Sequence, residues 1–133
     1  MTRKPALLLI ALCVLALFVS CASTAGKDTQ YVIYLGTNDK DTNMPVFSEK
    51  EAMDRVTDIL INRFGGYTVQ EARGGWKGDD GKVYQEYTLV LYLSDTDAQA
   101  VHDLADELLN VFRQSAVLIH TNVTETEFYS GKY

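Results

Sequence analysis

The stretch that decides the fold is Val83-Tyr84-Gln85-Glu86-Tyr87-Thr88-Leu89-Val90-Leu91-Tyr92-Leu93. Tyr87, Leu89, Leu91 and Leu93 alternate onto one side of an extended chain, while Tyr84, Glu86, Thr88, Val90 and Tyr92 fall on the other. Such alternation predicts a strand with a leucine face turned to a core. Just upstream, Gly78-Asp79-Asp80-Gly81 is a hairpin turn signal, because Asp80-Gly81 accepts positive φ. Tyr67 to Lys77 is then the partner strand of that hairpin.

Working outward, Tyr31-Val32-Ile33-Tyr34-Leu35 is a β-branched and aromatic run ended by Gly36, a first strand. Ser48-Glu49-Lys50-Glu51 has the form of a capping box. Ala52, Val56, Ile59, Leu60 and Arg63 follow at helical spacing, and Gly65-Gly66 terminate the helix. Past the decisive strand, Ser94-Asp95-Thr96-Asp97 supplies several N-cap residues for a second helix, with Ala98, Val101, Leu104, Ala105, Leu108 and Phe112 as its apolar stripe. Ala116 to about Phe128 contains a fourth strand, with Val117, Ile119, Thr121 and Val123 on one side. The order β-α-β-β-α-β predicts an α+β, ferredoxin-like fold: a four-stranded antiparallel sheet with both helices on one face. Right-handed crossovers place the first and third strands in the centre. The face holding Tyr84, Glu86, Thr88, Val90 and Tyr92 is left open.

Ahead of this domain, the chain changes character. It is 133 residues long, 47% hydrophobic and 23% charged, which excludes disorder over most of its length, yet residues 5–26 carry no charge at all. Arg3 and Lys4 precede 14 apolar residues, Ala6 to Val19, in the manner of an export signal. As a helix that run covers roughly 21 Å, short of a hydrocarbon core of about 30 Å. It closes on Phe18-Val19-Ser20-Cys21, which resembles the bacterial lipobox, with Phe18 where that pattern prefers Leu. The resemblance implies lipidation, including a palmitate-type acyl chain, on Cys21 after removal of residues 1–20 as a signal peptide. Ordinary cleavage, or an uncleaved anchor reaching Gly26, are the alternatives, and all three put the domain outside the cytoplasm. Ala22 after the cysteine is compatible with the outer membrane, facing the periplasm, in a Gram-negative cell; in a single-membrane cell the lipid holds the domain on the outer face. Residues 21–30 read as a lipidated tether and 31–133 as the domain.

The two cysteines, Cys13 and Cys21, both lie in this leader region. The domain is therefore expected to use no disulfide, thiolate metal site or cysteine nucleophile. Removing Arg3 and Lys4 leaves ten basic against eighteen acidic residues, a net charge of −8. Such a surface is repelled by phosphate backbones, so nucleic acid is not an expected partner, and membrane contact is through the lipid.

Tyr34-Leu35-Gly36, then Thr68-Val69 and Glu71-Ala72 leading to Gly74 and Trp76, then Gly81, Glu86 and Leu89-Val90-Leu91 resemble a family of small secreted bacterial proteins classed as a domain of unknown function. The resemblance spans about residues 31–93, with Thr88 where a Ser is expected. It implies a ferredoxin-like fold and secretion, and brings no activity or catalytic residues.

No motif specifies a reaction, cofactor or metal. Asp39, Asp41 and Asn43 match the first ligand positions of a calcium loop, but Met44 and Lys50 stand where Gly and Glu are required, so a polar loop is the expectation. Asp79-Asp80-Gly81 is a turn. His102 borders an apolar helix stripe and is expected at a surface or boundary. His120 is expected on the open face with Leu118 and Asn122, which makes it, with Glu86, a weak candidate acid or base.

The constellation of interest is Arg73, Trp76, Tyr84, Glu86, Thr88 and Tyr92 along the hairpin, in a chain with eight tyrosines. A second copy or an envelope protein packed on the open face, a small-ligand or peptide groove, and plain surface are the competing readings. Glu86 and Arg73 are an expected cross-strand ion pair. The leading expectation is a non-enzymatic binding or interaction domain; the alternative is a small dimeric enzyme using Glu86 or His120 in an enclosed pocket.

Overall fold

The computed structural model describes residues 26–132; the leader, with Cys13, Cys21 and the signal and lipidation expectations, lies outside them, as does Tyr133. Six elements follow in the predicted order: β1 (Gly26–Gly36), α1 (Glu49–Phe64), β2 (Thr68–Lys77), β3 (Val83–Leu93), α2 (Ala98–Val111) and β4 (Leu118–Thr126). The sheet order is β2-β3-β1-β4, with β3 antiparallel to both β1 and β2. Each helix thus crosses over a strand to which it is not directly joined, the split βαβ arrangement of ferredoxin-like domains.

Local chemistry sets the element ends. Ser48 Oγ accepts the Glu51 amide at 3.3 Å and the Glu51 carboxylate accepts the Ser48 amide at 3.0 Å, so the capping box at α1 is complete. That hydroxyl, then that amide, hold the Glu51 carboxyl below its usual range. Gly65 closes α1 in the left-handed region, φ 71°. At α2 the cap is Asp97, whose carboxylate accepts the Ala100 amide at 2.8 Å. Gly81 turns the hairpin at φ 80°.

The core lies between the sheet and the helices. Ile33, Leu35, Leu89 and Leu91 from the central strands meet Val56 and Leu60 of α1 and Val101, Leu104 and Leu108 of α2, all at 0% exposure. Tyr87 and Leu93 complete the leucine face read from the sequence.

Two boundaries differ from the reading of the sequence. Gly26–Gln30, taken as tether, are the start of β1. Gly, Lys, Asp and Gln have little strand preference of their own, which is why composition did not mark them as strand. Asp28 ties this extension down by accepting the Asp95 amide at 3.1 Å. Val117, just ahead of β4, and Ile119 on it pack on the core as expected, but Thr121 and Val123 beyond them are exposed.

Residues 27–125 make one compact unit. Gly26 and the segment from Thr126 belong to another, in which Phe128 and Tyr129 are largely exposed. Among the described residues no helix is long and apolar enough to cross a membrane.

Candidate functional site

The hairpin of β2 and β3 runs past the end of β1: Gly36 pairs with Thr88, while β3 continues back to Val83 opposite Lys77. The loop Thr37 to Phe47 turns over that overhang and is fastened to it. Thr37 Oγ1 donates to the Tyr87 carbonyl at 2.8 Å, and Asn38 Nδ2 donates to the carbonyls of Gln85 at 3.3 Å and Asn43 at 3.1 Å. Thr37, Asn38 and Asp39 are buried polar residues, and these bonds satisfy them. Asp39 Oδ1 accepts the amides of Asp41 (2.7 Å) and Thr42 (3.2 Å), and Oδ2 receives Arg113 Nε at 2.8 Å. The Asp41 amide, ahead of the Thr42 amide and the Arg113 charge, holds the Asp39 carboxyl below its usual range against the opposing effect of burial. The residues that matched a calcium loop are therefore an Asx-type turn whose lead carboxylate is spent on backbone and Arg113.

Glu86 sits under this loop on the open face. Its Oε2 accepts the Asn38 amide at 3.2 Å. β1 makes room for it, since a Cβ on Gly36 would run into the Glu86 carboxylate; Gly74 of β2 clears the next residue on that face, where a Cβ would stand 2.6 Å from Thr88 Oγ1. Glycine inside a strand gives up side-chain packing and costs backbone entropy, and here it clears a seat for a carboxylate. Glu86 is half-buried and has no ion-pair partner among the described residues.

Two clefts meet at that carboxylate. The larger, about 800 Å³, is bounded by the loop at Asn38, Pro45 and Phe47 and by β2 and β3 at Gly74 and Glu86. The smaller, about 440 Å³, lies toward the hairpin turn and is bounded by Trp76, Asp80, Tyr84 and Gln114. Asn38, Asn43 and Glu86 border both.

The predicted constellation is divided between the two faces. Trp76 pairs directly with Tyr84 across the strands, and their rings stack with centroids 5.5 Å apart at 22°. Tyr84 donates to Asp80 Oδ2 at 2.9 Å, and that bond raises the phenol and helps lower the Asp80 carboxyl, which the Lys82 amide depresses most. Thr88 is buried beside Gly74, and Tyr92 donates to Gln70 Oε1 at 2.9 Å farther along the same face. Arg73 is the exception. It is opposite Tyr87, so it points to the helix side, where it pairs with Glu49 at 2.5 Å and lies over the Tyr87 ring at 5.4 Å. The expected Glu86–Arg73 pair therefore does not form, because residues one register step apart occupy opposite faces. Tyr87 itself is buried there, and burial, then the Glu71 carboxylate, raises its phenol.

His120 is on the open face as expected, with its ring edge-on to Tyr34 at 5.2 Å. Neither it nor Tyr92 borders the two clefts at Glu86, so those clefts are not the pocket foreseen around Glu86, His120 and Tyr92. His102 is exposed on α2. Asn38, Asn43, Gly36 and Gly74 belong to the site without having been singled out for it. A glycine pair inside β2 and a glycine ending β1 were the available signal, since strand glycines mark close approach.

The chain belongs to a family described as "Protein of unknown function (DUF3574)", whose model matches residues 30–128. A search of curated proteins finds no match. Among solved structures the fold is similar to a phage SAM lyase in complex with S-methyl-5'-thioadenosine, with 16% identity, TM-score 0.57 and coverage of 79% of this chain and 95% of that one. A phage SAM lyase in the apo state gives 20% identity, TM-score 0.54 and coverage of 80% of this chain and 96% of that one. CutA from Synechococcus elongatus follows at 10% identity, TM-score 0.49 and coverage of 77% and 80%. At these identities the likeness to the lyase is one of fold.

Proposed function

We propose that this chain is a lipid-anchored binding domain of the cell envelope, held outside the cytoplasm through Cys21, that takes a small polar ligand in the clefts meeting at Glu86. The observation that carries the binding reading is the seat of that side chain. A half-buried carboxylate with one backbone hydrogen bond and no ion-pair partner among the described residues adds little to the fold, yet β1 ends on a glycine that accommodates it. Open-face aromatic rings next to it extend the surface that a ligand would touch.

A thermal-shift screen of small metabolites with cationic, neutral and anionic members tests the binding reading. Compounds that raise the melting temperature of the wild-type chain are expected to lose that effect in Glu86→Gln. A screen in which no compound stabilises the wild type, or in which every hit is retained by Glu86→Gln, overturns it. The anchor is tested separately: Cys21→Ser is expected to move the domain from the membrane to the soluble fraction and to abolish incorporation of labelled palmitate. An unlabelled wild-type chain refutes the lipid.

A further inference from the structure

We infer that the ligand is a small organic ammonium ion, whose charge is met by Glu86 and whose alkyl groups lie against the Trp76 and Tyr84 rings. This deepens the binding reading above and rests on it. Glu86 and Tyr84 are two residues apart on the same face of β3, so their backbone positions are about 7 Å apart along the strand. Both border the smaller cleft, together with Trp76, which stands 41% exposed. A carboxylate beside an electron-rich aromatic face is the pairing that attracts an ammonium group: Coulombic attraction from one side and the ring quadrupole from the other.

The surrounding charges point the same way. Four cations around this end of the sheet are engaged, Arg73 with Glu49, Arg113 with Asp39, Lys40, which lines the smaller cleft, with Asp41, and Lys82 with Asp80; Lys77 has no ion pair among the described residues but, opposite Val83, falls on the other face from Glu86. Glu86 and the exposed Asp79 border the smaller cleft with no ion pair of their own. An anion entering there would meet unbalanced carboxylates, whereas a cation would complete them. At Glu86, Asn38 occupies Oε2, which leaves Oε1 as the acceptor for the ligand.

Trp76 is the chain's only tryptophan, so its fluorescence reports on the site without labelling. Titrate the full-length chain, in a neutral detergent, with choline and with ethylammonium. The controls are 3,3-dimethyl-1-butanol, the uncharged shape-match of choline, and acetate. Saturable quenching by at least one of the cations, with the alcohol and acetate about tenfold weaker or inactive, is expected. Glu86→Gln is expected to weaken that cation about tenfold, and Trp76→Leu, followed by calorimetry, to weaken it by a similar factor while the fold is retained. Equal binding of choline and its neutral match, or undiminished cation binding by Glu86→Gln, overturns the ammonium inference while leaving the binding reading in place. If neither cation binds while the metabolite screen yields Glu86-dependent hits of another charge, the inference again falls alone. If no compound of any charge binds, both fall.

Discussion

Successive residues of β3 feed two unlike surfaces. Toward the helices, Tyr87, Leu89, Leu91 and Leu93 join a closed core in which six leucines and an isoleucine have no solvent exposure. Toward the open side, Tyr84, Glu86 and Thr88 meet glycine, a polar loop and a single tryptophan. The covered face contributes apolar burial, which is insensitive to direction and tolerant of pattern. The open face seats one carboxylate against the end of β1, where a methyl group on Gly36 would meet it. The contrast teaches that one alternating strand carries two independent patterns, the core on one set of residues and the Glu86 seat on the residues between them.

Substitutions that separate the two faces put this contrast at risk. Leu91→Ala, in the covered core at 0% exposure, is expected to cost about 2–5 kcal/mol in chemical denaturation and to leave little stable fold. A loss below about 1 kcal/mol would mean that the core is not where the stability resides. Gly36→Ala on the open face is expected to cost about 1 kcal/mol, because the far end of a flexible glutamate must yield to the new methyl group. Its distinguishing mark is relief: in a Glu86→Ala background the same change should be nearly neutral, a coupling that a double-mutant cycle measures directly. Additive losses would remove Glu86 from its seat over Gly36.

A smaller effect is expected from pH. Asp39 fastens the loop above Glu86 and titrates below the ordinary value of 3.8 in the folded state, with the Asp41 amide as the main cause. Its folded value is depressed, so its contribution is fully present above pH 3.8 and is lost as pH falls through the lower folded value. Wild type should therefore exceed Asp39→Asn in melting temperature at pH 6, with the gap narrowing at pH 3 and below; a gap that widens on acidification contradicts the assignment. Least of all, Arg73→Met should leave stability unchanged within error in thermal melts. The Arg73–Glu49 pair stands in solvent at the rim of the covered face, with side chains 70% and 53% exposed.

Much of the fold was legible before any coordinates. The capping residues Ser48, Glu51 and Asp97, the terminating Gly65, the turn at Gly81 and the leucine side of β3 are local signals with local causes, and each holds in the structure. The start of β1 was not legible, since Gly26–Gln30 are strand although their composition does not favour it. The site was legible in part. Tyr84, Glu86 and Thr88 were assigned to one face by alternation, and they share it; Trp76 was placed only along the hairpin, and its register opposite Tyr84 puts it there too. Arg73 could not be assigned, because only the register of β2 on β3 shows that it opposes Tyr87 and not Glu86.

Taken alone, the sequence determined the element order, the ferredoxin-like class and which side of β3 belongs to the core, because periodicity, caps and turns act over a few residues and carry their own energetics. Tertiary structure alone decided that Gly36 of β1 and Asn38 of the following loop converge on Glu86, and that Arg73 leaves it without a counter-ion. Those contacts join positions up to some fifty residues apart. No local preference encodes such a distance; strand register and the burial of the loop do.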